Sequence, residues 1–249
     1  MESPSYLDTP QGRRLAYHRR EGQGPGVVFL GGFMSDMAGT KATYLQAWAE
    51  ARDRAFLRFD YSGHGRSEGA FTEGTIGRWA EDAAAVINAV TAGPQILVGS
   101  SMGGWIALLL LRRALVDCAG LVTIAAAPDF TEDGFWDGFS NAAREELMSH
   151  GVVHVPSDYG SPYPITRGLI EDGRRNMVLR EPLALPVPVR FLQGTADRDV
   201  DPSRAMLLLN HAQGGDIRLT LVKGADHAFS SPDCLALIEQ AIAEVLEAG

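Results

Sequence analysis

Short continuous runs of apolar residues alternate along this chain with longer segments whose apolar positions recur at helical spacing. The runs lie at 26–32 (GVVFLGG), 55–60 (AFLRFD), 95–100 (QILVGS), 120–127 (GLVTIAAA), 188–194 (PVRFLQG) and 217–222 (IRLTLV). Successive side chains of a strand point to opposite faces, so a strand with one wet face alternates apolar and polar residues. Runs without that alternation predict strands covered on both faces, the setting of a parallel sheet. The intervening segments predict helices over about 41–53, 75–91, 102–115, 202–213 and 233–247. This alternation implies an α/β class with a mostly parallel, doubly wound sheet. The opening segment YLDTPQGRRLAYHRRE predicts an antiparallel edge hairpin with TPQGR as its turn.

Between Ala127 and Pro186 the alternation lapses, and Asp, Gly, Pro, Ser and aromatic residues take over. Gly and Pro divide the stretch into a helix at about 138–149, a hairpin at about 152–166 and a helix at about 167–179. So long a segment is not a plain loop. The expectation is one domain over 1–249 with a small cap inserted at about 128–182.

Composition narrows the function by exclusion. The formal net charge is −9 and the pI about 5.1, so the chain lacks the basic bias that holds nucleic acid. The longest apolar run, residues 105–111, falls far short of the roughly 20 residues that span a bilayer; it predicts a buried helix and no membrane insertion. The first 20 residues show neither a signal-peptide run nor a transit-peptide pattern, and the expectation is a cytoplasmic protein. Cys118 and Cys234 make no CxxC pair and read as small core residues in a reducing compartment. With no G-x-G-x-x-G or P-loop, no cofactor is expected. His150 and His154 have the spacing of a metal pair, but Gly151 and two valines make HGVVH a poor helix. It reads as a loop entering a strand, and no metal is expected.

The chemistry gathers at GSSMG, where a strand runs directly into a helix. G-x-S-x-G suits a nucleophile elbow, in which the serine takes a strained conformation while strand and helix pass too closely for side chains. Ser101 has glycine at both required positions, Gly99 and Gly103, whereas Ser100 would need glycine at Val98. Ser101 is the candidate nucleophile and Ser100 its small neighbour. A base must take the serine proton, and after this elbow the chain order is acid, then histidine. His211 falls inside a predicted helix, so His227, following the last strand in VKGADHAF, is the candidate base. Asp197, first after the turn in FLQGTADRDVDP, is the candidate acid, with Asp199 as runner-up. Asp201 precedes Pro202 and reads as a helix N-cap, and Asp226 adjoins His227 with a diverging side chain. The backbone N–H groups of Met102 and Phe33 are the candidate oxyanion hole. Met34, Phe135, Trp136 and Phe139, with Phe33, Tyr159 and Tyr163, are candidates for the apolar wall of an acyl pocket. Arg174, Arg175 and Arg180 read as a solvated helix face, with an anionic substrate group as the alternative.

With these residues in place, the chain resembles the α/β-hydrolase superfamily along its length. FDYSGHGRS (59–67) is similar to its D-x-x-G-x-G-x-S turn, here Asp60, Gly63, Gly65 and Ser67, which reads as structural. Gly31-Gly32 departs from the His-Gly of many members and leaves open what braces the oxyanion loop. GTKA (39–42), RFDYSGHGRSEG (58–69), GPQILVGSSMGGW (93–105) and LPVPVRFLQGTADRDV (185–200) resemble the mitochondrial abhydrolase group of acyl-glucuronide esterases and palmitoyl-protein thioesterases, with this chain a bacterial-type relative. The resemblance implies Ser101, Asp197 and His227 as the triad of a hydrolase acting on small acyl esters or thioesters, S-acylated proteins included. It leaves oligomeric state open. A carboxylate nucleophile, as in dehalogenases of this fold, is disfavoured by Ser101. The alternative is a non-enzymatic ligand receptor or scaffold on the same fold.

Overall fold

Each predicted apolar run forms a strand of one sheet in the computed structural model, which describes residues 3–157 and 162–248. The elements begin β1 (Ser5–Asp8), β2 (Arg14–Arg20), β3 (Gln23–Leu30), α1 (Thr40–Ala51), β4 (Arg54–Phe59), a 3₁₀ turn (Phe71–Glu73), α2 (Ile76–Val90), β5 (Gln95–Ser100), α3 (Met102–Arg112) and β6 (Cys118–Ile124). A π-helical turn (Thr131–Trp136), α4 (Asn141–His150), β7 (Val152–Val155), β8 (Tyr163–Thr166), α5 (Arg167–Arg175) and β9 (Leu183–Ala184) follow. The order continues with β10 (Val189–Gly194), α6 (Pro202–His211), β11 (Ala212–Gln213), β12 (Ile217–Val222) and α7 (Pro232–Ala248).

Among the described residues the large sheet has eight strands, ordered β1-β2-β4-β3-β5-β6-β10-β12. β1 and β2 form the antiparallel edge hairpin, and the strands from β4 to β12 run parallel. The continuous runs have a direct cause. Val28, Leu30 and Leu97 face α2 and α3, packing with Trp79, Val86, Trp105 and Leu109. Their neighbours Val27, Phe29, Ile96 and Val98 face the other way, onto Leu45 and Trp48 of α1 and Ile238 and Val245 of α7. β12 is the exception, an edge strand with Leu221 46% exposed. The chain leaves β3 through α1 toward β4 on one side and enters β5 on the other. The reversal opens a crevice beyond the C-terminal ends of β3 and β5, where open α/β sheets bind ligands.

Between β6 and β10 the insertion contains the predicted hairpin, β7 pairing antiparallel with β8. Its helices end where side chains dictate. The segment expected to be helical from 138 begins at Asn141, because Ser140 caps it by accepting the Ala143 N–H (3.2 Å). The helix expected to reach 179 stops at Arg175, because the Val178 and Leu179 N–H groups donate instead to the Asp129 carboxylate (2.8 and 3.0 Å). Helix α5 packs against the π-helical turn and α2. No helix among the described residues is long and apolar enough to cross a membrane.

Candidate active site

Ser101 sits between β5 and α3 with φ 54° and ψ −118°, a conformation costly for a residue with a side chain. Backbone crowding on both flanks imposes it. A Cβ on Gly99 would lie 2.4 Å from the Gly103 carbonyl oxygen, and one on Gly103 would lie 2.1 Å from that of Leu30. Ser101 is pinned further by its N–H to Ile124 (2.9 Å) and by the Ala127 N–H on its own carbonyl (3.1 Å). Ser100, buried, remains the last residue of the strand.

From β12, the turn at 223–228 carries His227 over the same sheet edge. Its Nε2 lies 3.1 Å from Ser101 Oγ, and its Nδ1 lies 2.9 Å from Asp197 Oδ2. Asp197 leaves β10 with a buried carboxylate. Oδ1 accepts the N–H groups of Asp199 and Val200 (both 2.9 Å), and Oδ2 accepts Gln193 Nε2 (2.8 Å). Burial pushes this carboxyl up, but the bonds from His227, Val200 and Gln193 outweigh it and hold Asp197 below its ordinary value. The other carboxylates have different work. Asp199 contributes its N–H to Asp197 and lies in the cavity wall. Asp201 caps α6 through the Ser203 N–H (2.8 Å), and Asp226 accepts the Phe229 N–H (3.0 Å). Asp197, Asp199 and His227 bring possible ligand atoms within 4.8 Å of one another, yet a cation there would have to displace the N–H groups already on Asp197.

The loop after β3 closes the third side. A Cβ on Gly32 would lie 3.4 Å from Ser101 Cβ, so the loop rests on the serine. Among the described residues, neither the Phe33 N–H nor the Met102 N–H has a hydrogen-bond acceptor. A cavity of about 550 Å³ opens above Ser101 and His227, walled by Phe29, Phe33, Met34, Phe130, Phe135 and Tyr163. Trp136 and Phe139 are a correction, since neither lines this cavity. Successive residues of a helical turn face different directions, so Phe135 faces the cavity and Trp136 turns away from it. There the Trp136 ring meets the guanidinium groups of Arg144 (5.1 Å) and Arg174 (4.6 Å). Phe139 stacks behind Phe135, ring centres 6.3 Å apart. Tyr159 lies outside the described residues. Arg174 pairs with Glu132, Arg175 with Asp172, and Arg180 with Asp129 and Asp133.

With this geometry the chain can be set beside known proteins. The sequence profile of the alpha/beta hydrolase family matches residues 27–248. This chain belongs to the alpha/beta hydrolase family. It is 32% identical to the mitochondrial palmitoyl-protein thioesterase ABHD10 of Bos taurus, over 98% of this chain and 80% of that protein. The crystal structure of a putative hydrolase from Agrobacterium vitis S4 superposes with a TM-score of 0.93 at 40% identity, covering 97% of this chain and 98% of that one. The structure of alpha/beta hydrolase domain-containing protein 10 from mouse gives 0.91 at 31% identity, covering 99% of each chain. The ABHD10 relatives are each named as mitochondrial, which overturns the expectation of a cytoplasmic protein. That expectation rested on the pattern of residues 1–20, most of which build the edge hairpin β1–β2, and on the cysteine usage.

In this alpha/beta hydrolase the bracing left open by Gly31-Gly32 comes from the turn at 59–67. Asp60 accepts the Met37 N–H (2.6 Å) and the Arg66 N–H (2.8 Å), and His64 Nε2 accepts the Met34 N–H (3.3 Å). Burial raises the Asp60 pKa, and the two N–H groups offset part of that rise. Sequence reasoning missed these contacts, and also Gln193, Phe130 and Lys41, whose ammonium donates to the Ala228 carbonyl beside His227. Gln193 carried one signal, a polar residue directly after the apolar pair Phe191-Leu192 near the end of β10.

Proposed function

We propose that this alpha/beta hydrolase cleaves carboxylic acyl esters or thioesters through an acyl-enzyme on Ser101. The hydrogen-bonded chain from Ser101 Oγ through His227 to Asp197 carries the reading. Ser101 attacks the acyl carbonyl while His227 Nε2 takes its proton, and Asp197 holds the Nδ1–H tautomer and balances the imidazolium. Negative charge gathers on the former carbonyl oxygen, which the Phe33 and Met102 N–H groups receive. A donor of this kind is worth about a hundredfold to a thousandfold in rate. Collapse of the tetrahedral adduct expels the thiol or alcohol, protonated by His227. Water, deprotonated by the same imidazole, then releases the acid and restores Ser101.

The apolar wall of the cavity supports an acyl substituent, and the thioesterase named among the relatives supports thioesters, with S-acylated protein as one source. The test compares wild type and Ser101→Ala on palmitoyl thioester, acyl glucuronide and short p-nitrophenyl esters, with fluorophosphonate labelling alongside. Turnover of an acyl ester or thioester and labelling at residue 101 are expected in wild type, and the alanine variant should lose both by several orders of magnitude. Full activity in the variant would overturn the mechanism. Labelling without repeated turnover would favour a ligand receptor, a reading that none of the relatives reported above supports.

A further inference from the structure

Hydrogen bonds on either side of Phe33 fix the loop after β3. Ser35 donates to the Gly32 carbonyl (3.3 Å), Met37 to Asp60 Oδ1 (2.6 Å) and Met34 to His64 Nε2 (3.3 Å). Phe33, between Gly32 and Met34, has no acceptor among the described residues. Met34 itself has φ 54°, a left-handed conformation that a non-glycine residue keeps only when its surroundings hold it. The Phe33 ring is held edge-on by Phe71, Trp79, Phe130 and Tyr163. That anchors one end of the strained pair, and the contact to His64 anchors the other.

We propose that His64 is a positioning residue for the oxyanion hole: by accepting the Met34 N–H it fixes the left-handed turn that leaves the Phe33 N–H unspent beside Ser101. The inference rests on the hydrolase reading above. Its chemistry requires an acceptor on a flat, apolar body. The imidazole is buried in a cage of Tyr61, Phe71 and Trp79, with ring centres 5.0–5.6 Å away. Nδ1 faces the Ser62 carbonyl at 3.3 Å, so the proton sits on Nδ1 and Nε2 accepts. Ser62 is held in turn by Asp82, which accepts its N–H (2.9 Å) and its hydroxyl (2.6 Å) and is paired with Arg13. Burial drives the His64 pKa down to about 4, against a smaller upward pull from Ser62, so the ring is neutral where a serine hydrolase works.

His64→Phe keeps a flat ring in the cage and deletes the acceptor, whereas His64→Gln restores an acceptor without the ring. Both are compared with wild type at pH 8 on a short p-nitrophenyl ester. Rates are normalised to sites labelled at completion by fluorophosphonate, and melting temperatures are recorded. His64→Phe should lose about tenfold to a hundredfold in kcat and kcat/KM together, with KM within about twofold, because a transition-state contact is displaced. His64→Gln should recover part of kcat. Wild-type kcat in His64→Phe would overturn the proposal. Equal losses in both variants with a fall in labelled fraction and melting temperature would overturn it too, by assigning His64 to the fold alone. If wild type fails to label at Ser101, the hydrolase reading itself falls and takes this inference with it.

Discussion

Ser101 keeps its strained backbone because two other backbones pass within a side chain's reach of it, so the elbow is built by glycine before serine does any chemistry. A methyl group at residue 103 would meet the carbonyl oxygens of Leu30 and Gly31 at the end of β3, at 2.1 and 2.6 Å. Gly103→Ala is expected to cost about 3 kcal/mol or more and to abolish labelling at Ser101, measured by denaturant unfolding and by the probe. Gly138→Ala, where nothing lies within 4 Å, should stay within about 0.5 kcal/mol of wild type and label normally. The meeting of Ser101, His227 and Asp197 was legible in the sequence because the elbow spacing is local and chain order at successive strand ends does the rest. The His64 contact was not, since it joins residues 30 apart through a fold that no short pattern encodes. Trp136 misled for a related reason: composition marks an aromatic as apolar, and only the phase of its helical turn decides which side it faces.

Among the elements, the insertion is where sequence patterns foretold kinds better than edges. Apolar spacing and Gly or Pro punctuation marked its helices and hairpin, but α5 ends where a carboxylate from a distant loop intercepts its amides. Asp129 is buried, at φ 61°, and gathers the Val178 and Leu179 N–H groups and the Arg180 guanidinium (3.4 Å). Arg180 and Arg204 both reach Asp133, and Arg204 also donates to the Pro128 carbonyl (3.3 Å). The base of the insertion is therefore tied to α6 and to the end of β6 by one charged network. Asp129→Ala would leave two buried amides unanswered, at about 1–3 kcal/mol for each unsatisfied group. The expected result is a lower melting temperature and proteolytic cleavage between residues 129 and 182 well before the sheet is cut. Asp129→Asn, which keeps one acceptor oxygen and tolerates the left-handed backbone, should lose less. Equal resistance to protease in wild type and Asp129→Ala would remove the network from the role of anchor.

For the molecule as a whole, the strands were legible because both sheet faces are covered, whereas their order was not, because β4-β3-β5 records a reversal of winding that leaves no mark on the runs. The same double coverage buries ionisable groups, and their shifts oppose one another as pH falls. His64 moves from an ordinary value of 6.5 to about 4 in the fold. Between those values the unfolded chain binds a proton that the folded chain refuses, so stability falls with pH across that window, by up to about 3 kcal/mol. Below about 4 both forms are protonated and His64 adds no further loss. Asp60 and Asp129, raised chiefly by burial, work in reverse: the folded chain takes up their protons first, and acidification stabilises it through them. Asp133 and Asp197, held below the ordinary carboxylate value with burial opposing their hydrogen bonds, lose their contribution only in stronger acid. A wild-type curve sums these effects, so the His64 contribution is read as a difference. Unfolding by urea at pH 7.5, 5.5 and 4 should show wild type losing about 3 kcal/mol more than His64→Phe, with the gap opening below about pH 6.5. A difference that does not change with pH would mean that His64 is as free to ionise in the fold as in the unfolded chain, and that its ring is not the neutral acceptor on which the Met34 N–H depends.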